Sequence, residues 1–197
     1  MVAGQPVWAL AARFPKQGEW TEAAYLALPE GFPRLELDGA GYLEVLPMPT
    51  DRHQAILTAV LLVLLEHVRV AGGWARPAGI RVRLAPGRFR EPDVAFLSRE
   101  HGAKRGDEFW TGADVVAEVV SGGAEDRVRD HVVKRQEYAE AGIAEYWIVD
   151  PFEETLTVLA LDGAVYREVG VFTRGTTATS PTLPGVSLDV SGVLDAQ

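Results

Sequence analysis

Three charged residues stand out because of the sequence around them. Asp93 lies in Glu-Pro-Asp-Val-Ala-Phe-Leu, Glu118 lies in Asp-Val-Val-Ala-Glu-Val-Val-Ser, and Lys134 follows in a helical segment. A carboxylate among strand-forming residues is costly to desolvate unless a cation, a hydrogen-bond donor or an open cleft compensates for it. Two such acids on successive predicted strands indicate a shared divalent cation. This is the chemistry of a metal-dependent phosphodiesterase.

The two acids are positioned by predicted strands. A proline favours the first residue of a strand or an edge strand, so Pro92 places Asp93 near a strand start, where a cleft can open. Residues 114–120 are predicted to form a central strand, in which burial alone does not explain Glu118. Residues 144–150 are predicted to form another core strand. The helix between these strands indicates a parallel crossover beside the site.

That connecting helix is predicted to run from Ala124 to Ala141. Its apolar positions lie on one side: Val128, Val132 and Val133. Asp130, Lys134 and Tyr138 follow one another at a spacing of four residues and share a face. The simplest interpretation of this face is a surface Asp–Lys pair, which contributes only tenths of a kcal/mol.

Glu44 and His53 are each open to two interpretations. Glu44 lies in the second strand of a hairpin predicted around Asp-Gly-Ala-Gly at residues 38–41. It is either an exposed strand position or a third acid of the metal site. His53 opens the first turn of a helix, where it is either a local hydrogen-bonding group or a group that reaches a phosphate or a metal-bound water.

The helix that begins near His53 is predicted to span Arg52 to Val70 and is apolar on nearly every face. Thr50 or Asp51 can cap its start, and Gly72-Gly73 ends it. We therefore expect it to be buried against the sheet or against a second copy of the protein. Its longest apolar run, residues 59–65, is too short to span a bilayer, so no membrane is expected as a partner.

The remaining segments complete an α/β (α+β) fold in one domain, residues 1–197. A short helix is predicted at residues 18–28, hairpins at 34–46 and 155–169, and a loop that borders the cleft at 99–113. A strand with one basic face is predicted from residue 79, turning back at Ala85-Pro-Gly-Arg88, and a short strand or turn is predicted at 183–190. A hydrophobic content of 47% is ample for a core.

Charge is distributed unevenly along the chain, whose formal net charge is −9. Residues 69–135 hold 13 of the 19 Lys and Arg and 10 of the 28 Asp and Glu, which leaves +3 there and −12 elsewhere. Such a distribution can steer a polyanion to one cleft, although it is also compatible with an ordinary solvated surface. The residues expected to contact phosphates are Arg81, Arg83, Arg88, Arg90, Arg127 and Arg129.

Several classes of protein are excluded or disfavoured. The chain has no cysteine, which excludes disulfides, thiolate metal sites and cysteine nucleophiles and fits a cytoplasmic protein. The first ten residues lack a basic region and a long apolar segment, so a secretory signal is not expected. Glycine-rich phosphate loops and serine-triad patterns are also missing.

Several stretches, in order, resemble the Uma2 family, also called DUF820, of restriction-endonuclease-like proteins in the PD-(D/E)XK nuclease superfamily. The stretches are Leu37-Asp-Gly with Glu44, His53-Gln, Glu91-Pro-Asp93-Val, Val116-Ala-Glu118-Val-Val-Ser121, Asp130-His-Val-Val-Lys134 with Tyr138, residues 141–151 and Leu183-Pro-Gly. The resemblance covers roughly residues 20–190 and implies a restriction-endonuclease-like core with a mixed β-sheet flanked by helices.

The resemblance also implies roles for individual residues. Asp93 and Glu118 would be metal ligands, and Lys134 would take the place of the usual motif lysine. The chain departs from the common pattern because Val120, not lysine, follows two residues after Glu118. Ser121-Gly-Gly-Ala likewise replaces the Ser-Pro-Ser of many relatives.

Together these observations predict a Mg²⁺- or Mn²⁺-dependent endonuclease that acts on nucleic acid, with DNA favoured, and forms a homodimer. The predicted site is Asp93, Glu118 and Glu44 as metal ligands, with Lys134 protonated and orienting the attacking water. One alternative is a non-catalytic dimeric module that binds nucleic acid or another partner. Another is a phosphodiesterase for small molecules, which would need no long basic groove.

Overall fold

The strands of the chain form three sheets, and the computed structural model describes residues 14–29 and 34–197, apart from the Glu125 side chain. The strands are β1 (Leu35–Leu37), β2 (Leu43–Val45), β3 (Trp74–Pro77), β4 (Val82–Ala85), β5 (Arg88–Arg90), β6 (Val94–Leu97), β7 (Val115–Val119), β8 (Glu145–Asp150), β9 (Thr155–Asp162), β10 (Val165–Thr173), β11 (Thr177–Thr179) and β12 (Ser187–Asp189). The helices are α1 (Glu22–Leu26), α2 (Asp51–Ala71), α3 (Ala124–Val128), α4 (Lys134–Glu140) and α5 (Val190–Leu194). A 3-10 helix spans Arg99–Lys104, and a π-helical turn at Arg129–Val133 joins α3 to α4.

The central sheet has six strands in the order β10-β9-β8-β7-β6-β3. Neighbouring strands are antiparallel except β7 and β8, which are parallel. A second sheet has the order β2-β1-β5-β4, and β11 pairs with β12. The predicted mixed sheet with flanking helices and added hairpins is confirmed, as is the parallel crossover through α3 and α4.

Both faces of the six-stranded sheet are covered. One face packs against α2 and the C-terminal segment. The other face packs against the crossover helix, which consists of α3, the π-helical turn and α4. Side chains alternate between the faces of a strand. Val116 and Val120 belong to the core on the α4 side, so Glu118 between them points toward the same side. The sheet therefore directs this acid at the crossover helix.

The hairpin after residue 79 is shorter than predicted. The returning strand β5 ends at Arg90 in the four-stranded sheet, and the chain then crosses to the six-stranded sheet as β6. Pro92 lies in this transition and has no N–H with which to continue a ladder. The crossing leaves Asp93 at the entrance of β6, where the two sheets diverge.

Helix α2 is less buried than its composition predicted. It begins at Thr50, whose side chain accepts the His53 N–H at 3.2 Å, and it ends at Gly72. One stripe packs on the sheet, but Leu62 is 56% exposed and Val70 is 85% exposed. By length and hydropathy the helix also passes as a membrane span, a test that core helices of globular domains pass as well. The sequence predicted burial on all sides because hydropathy does not reveal which faces find a partner.

Candidate active site

Asp93 and Glu118 are brought side by side by the pairing of β6 with β7. Val94 lies opposite Ala117 in this antiparallel pair, so the two acids occupy neighbouring positions. Both are nearly inaccessible, with 6% and 3% exposure. They line one small cleft together with Lys134, the three residues that the family resemblance implied as the site.

Asp93 is held by one backbone donor and one side chain. Its Oδ2 accepts the Val119 N–H at 2.9 Å and lies 3.1 Å from Nε2 of His53. Burial alone would raise the pKa of Asp93, but the hydrogen bond and charge of His53 together with Lys134 lower it. Asp93 is therefore the ionised acid of the pair, and His53 is a partner of that acid.

The His53 ring is fixed on one side only. Burial lowers its pKa, but the hydrogen bond to Asp93 and the charges of Asp93 and Glu118 raise it above its ordinary value. Its Nδ1 is buried without a hydrogen-bond partner among the described residues. The structure thus favours the interpretation in which His53 serves the site.

Glu118 is the acid that retains a proton. Its Oε1 accepts the Tyr138 hydroxyl at 2.6 Å and lies 2.9 Å from Nζ of Lys134. Burial raises the pKa of Glu118 to about 8, and the nearby charges of Asp93 and Asp130 add to this effect while Lys134 opposes it. The main cause is the removal of this carboxyl group from water, and the neighbouring carboxylates add to it.

Lys134 is surrounded by three carboxylates. Its Nζ lies 2.9 Å from Glu118, 3.6 Å from Asp130 and 3.8 Å from Glu36. Burial would lower the pKa of Lys134, but these acids, Glu118 first, raise it, so the side chain stays protonated. The simplest interpretation of the Asp130–Lys134 pair as a surface pair is wrong, because both residues are 2% exposed.

The crossover helix has its polar face inside and its apolar face outside. Asp130, Lys134 and Tyr138 are buried against the sheet, whereas Val128 is 56% and Val132 is 59% exposed. Periodicity identified the two faces but not which one faces the core. The π-helical turn, a feature common at functional sites, begins just before Asp130 and ends just before Lys134.

Glu44 does not join this cluster. Its carboxylate is 3.2 Å from Arg90 and 3.5 Å from Arg129, and its side chain is 42% exposed. The buried acid is Glu36, directly opposite Glu44 in the hairpin. The sequence does not distinguish Glu36 from Glu44, because both acids alternate with apolar residues. In the structure β1, which carries Glu36, is an inner strand of the four-stranded sheet, and β2, which carries Glu44, is its edge strand.

The cleft offers two carboxylates to a cation. Asp93 Oδ1 and Glu118 Oε2 accept no hydrogen bond from residues 14–29 or 34–197, while the second oxygen of each acid is already engaged. Within these ranges no group of three or more His, Asp or Glu side chains is placed to hold a metal ion. Mg²⁺ commonly binds one or two carboxylates and keeps several waters, so this donor set fits it without Glu44.

The basic strand face is a set of ion pairs. Nitrogen–oxygen distances join Arg81 to Glu91 (3.8 Å), Arg83 to Glu22 (3.1 Å), Arg88 to Glu140 (2.9 Å), Arg90 to Glu137 (2.6 Å), Arg127 to Glu153 (2.8 Å) and Arg129 to Asp126 (2.9 Å). Four of these acids, Glu22, Glu137, Glu140 and Glu153, lie outside residues 69–135, so a charge count of that segment could not reveal their pairs. This face is therefore ion-paired in the structure, and its contact with phosphates stays a prediction.

Similarity to known proteins agrees with this geometry. The family model of Uma2, described as "Putative restriction endonuclease", matches residues 22–191. The chain belongs to the Uma2 family. A crystal structure from Anabaena variabilis, described as "a putative nuclease belonging to DUF820", shares 20% identity with a TM-score of 0.70 and covers 88% of this chain and 97% of that chain. No curated protein shows significant sequence similarity.

Membership of the Uma2 family and the shared fold together indicate a restriction-endonuclease-like nuclease. In this Uma2 chain the position two residues after Glu118 is Val120, which is buried in the core. The lysine beside the acids comes instead from the crossover helix, where Lys134 reaches Glu118. Function must be argued from this site, because the fold alone supports many activities.

Proposed function

We propose that this protein is a Mg²⁺- or Mn²⁺-dependent nuclease that hydrolyses phosphodiester bonds, with Asp93, Glu118 and Lys134 as its catalytic residues. The observation that carries the proposal is the buried pair of adjacent acids Asp93 and Glu118, each with one carboxyl oxygen free of hydrogen bonds from the described residues, with Lys134 2.9 Å from Glu118. Burial raises the pKa of Glu118 to about 8, and a divalent cation bound between the two acids would favour its ionised form. When bound, the cation would activate water and neutralise charge on the phosphate.

Each protein group has a defined task in this mechanism. Asp93 and Glu118 would hold the cation through Oδ1 and Oε2. The Val119 N–H and His53 fix the orientation of Asp93, and Tyr138 fixes that of Glu118. Partners of this kind typically contribute about 10- to 100-fold to metal affinity or activity.

Lys134 acts as a positioning cation. Because its pKa is raised, it does not accept a proton at neutral pH. Its ammonium can donate to the attacking water or to a phosphate oxygen while it stays bound to Glu118 at 2.9 Å. Asp130 and Glu36 hold the opposite side of the ammonium and restrict its motion.

A cleavage assay tests the proposal. Purified protein is incubated with single-stranded, duplex and branched DNA, with RNA and with a small phosphodiester, each with Mg²⁺, Mn²⁺ or EDTA. We expect cleavage of nucleic acid that requires the cation and disappears in Asp93→Asn, Glu118→Gln and Lys134→Ala. Circular dichroism shows whether each variant is folded, and Glu153→Gln, at an exposed acid, is the matched control.

The alternatives predict different results. A non-catalytic binding module would bind nucleic acid without cleaving any substrate under any condition. A small-molecule phosphodiesterase would cleave only the small phosphodiester. Full activity in Asp93→Asn or Glu118→Gln would refute the metal site, and loss of activity in Glu44→Gln without loss of folding would restore Glu44 as a ligand.

A further inference from the structure

A second pocket opens directly beside the catalytic cleft. The two cavities share Pro47, Pro49, His53 and Ser121, which form the wall between them. The catalytic cleft has a volume of about 30 Å³. The neighbouring pocket has a volume of about 130 Å³. The neighbouring pocket is therefore the roomier of the two.

Arg52 supplies this pocket with a cation that has no acidic partner among the described residues. Its Nη2 donates to the Pro151 carbonyl at 3.3 Å, and its side chain makes no other hydrogen bond within the part of the chain that the structure describes. The acid in this pocket, Asp126, is paired with Arg129 at 2.9 Å. Arg52 is therefore a cation that remains available to a ligand in this pocket, whereas the arginines of the strand face are ion-paired.

Phe152 supplies an aromatic surface at the same pocket. Its side chain is 53% exposed, although it lies in a tight turn that follows β8. Asp150 Oδ1 accepts the Phe152 N–H at 2.9 Å and the Glu153 N–H at 3.0 Å, which fixes the turn. One edge of the ring lies against Gly122, where a Cβ atom would come within 2.6 Å of it. The ring is thus held in place with one surface open.

Two other cavities in the described part of the chain, both lined by residues of the crossover helix, do not combine an unpaired cation with an exposed aromatic ring. The cavity at Val128 and Val132 shares no residue with the catalytic cleft, and its cation Arg127 is paired with Glu153 at 2.8 Å. The cavity beside Glu44 contains Arg129, which is already engaged by that acid and by Asp126.

We propose that the Arg52–Phe152 pocket binds the nucleoside next to the scissile phosphate, with its base stacked on Phe152 and a flanking phosphate at Arg52. This inference rests on the proposed nuclease function and specifies its substrate. A base can stack on Phe152 only if it has left its own helix. The site therefore selects an unpaired nucleotide, as in a single strand, a frayed end or a branch, over an intact duplex.

Equilibrium binding in EDTA tests the inference without requiring turnover. The probe is a short single-stranded oligodeoxynucleotide with one 2-aminopurine, whose fluorescence falls when its base stacks. We expect quenching on binding, and weaker binding by about 5- to 100-fold in Phe152→Ala, because a base–aromatic stack is worth that factor. Phe152→Trp should retain binding, and Phe152→Leu, which keeps apolar bulk without a ring, should not.

Two further variants complete the test. Tyr42→Ala is the matched control, because Tyr42 is equally exposed at 52% but lies outside the pocket, and it should bind as the wild type does. Arg52→Gln should reduce the dependence of binding on salt by a slope of about 0.7, the contribution of one phosphate contact in a single strand.

The outcomes separate the two proposals. Unchanged affinity and fluorescence in Phe152→Ala, or tighter binding of duplex than of single strand, would overturn the inference even if the protein cleaves DNA. Phe152-dependent quenching in a protein that cleaves nothing with Mg²⁺ would support the pocket and refute the proposed nuclease.

Discussion

Glu118→Gln should stabilise the metal-free protein by an amount that grows as the pH rises. Below pH 4.5, the ordinary pKa of a glutamate, the carboxyl is protonated in both the folded and the unfolded state. Glutamine closely resembles that neutral form. Between pH 4.5 and about 8 the unfolded chain loses the proton and the folded protein keeps it, so the wild-type protein loses stability with rising pH. Above pH 8 the cost is complete.

The size of the effect follows from the two pKa values. The pKa of Glu118 rises from 4.5 in the unfolded chain to about 8 in the folded protein. Because one pKa unit corresponds to about 1.4 kcal/mol, this rise costs about 5 kcal/mol of folding stability. Because the charges of Asp93 and Asp130 act on Glu118 and their own titration depends on it, this figure is an upper limit. A gain of about 2 kcal/mol at pH 8 would appear as roughly 4–8 °C in Tm for a chain of this size.

The assay is urea unfolding in EDTA between pH 4.5 and pH 9, with Glu36→Gln as the matched control. Glu36 is as buried as Glu118 and also lies beside Lys134. Burial raises its pKa, but Lys134 and Arg90 lower it below the ordinary value. Ionised Glu36 therefore contributes stability above pH 4.5 that is lost as the pH falls through its folded pKa, so Glu36→Gln should be less stable than the wild type at pH 8.

At pH 8 the free energy of unfolding must be higher than that of the wild type in Glu118→Gln and lower in Glu36→Gln. If Glu118→Gln is less stable than the wild type at pH 8, Glu118 acts as an ionised partner of Lys134, and the excess of negative charge that supports the metal site does not exist. A constant difference across the pH range would show that packing, not proton binding, separates the proteins.

Two further predictions concern stability and assembly. Glu145→Ala should lower the free energy of unfolding by about 2–4 kcal/mol, because this buried carboxylate accepts the Ser180 hydroxyl at 2.8 Å and the Thr182 N–H at 2.9 Å. Denaturant unfolding measures the change, and an unchanged unfolding midpoint would refute the prediction. The protein should form a homodimer through the exposed side of α2, so light scattering should give the dimer mass, and Leu62→Glu should give the monomer. A wild-type monomer at micromolar concentration would exclude this interface.

The order of the main elements and two of the buried acids could be read from the sequence. Asp93 and Glu118 were recognisable because a charge in a strand is costly and needs a partner, and this cost is a property of the local sequence. The β7–β8 crossover followed from the strand–helix–strand order and its fixed handedness. The protonated state of Lys134 also followed, since nearby anions favour the charged form.

Only the tertiary structure decided which face or strand of an element meets the core. The pattern of the crossover helix contained an apolar and a polar face, and the cluster of acids drew the polar face inward, leaving Val128 and Val132 exposed. Glu36 and Glu44 alternate with apolar residues in the same way, yet one lies beside Lys134 and the other at the edge. Likewise, Arg83, Arg88, Arg90 and Arg127 pair with acids outside the basic segment, because ion pairing depends on distance in space.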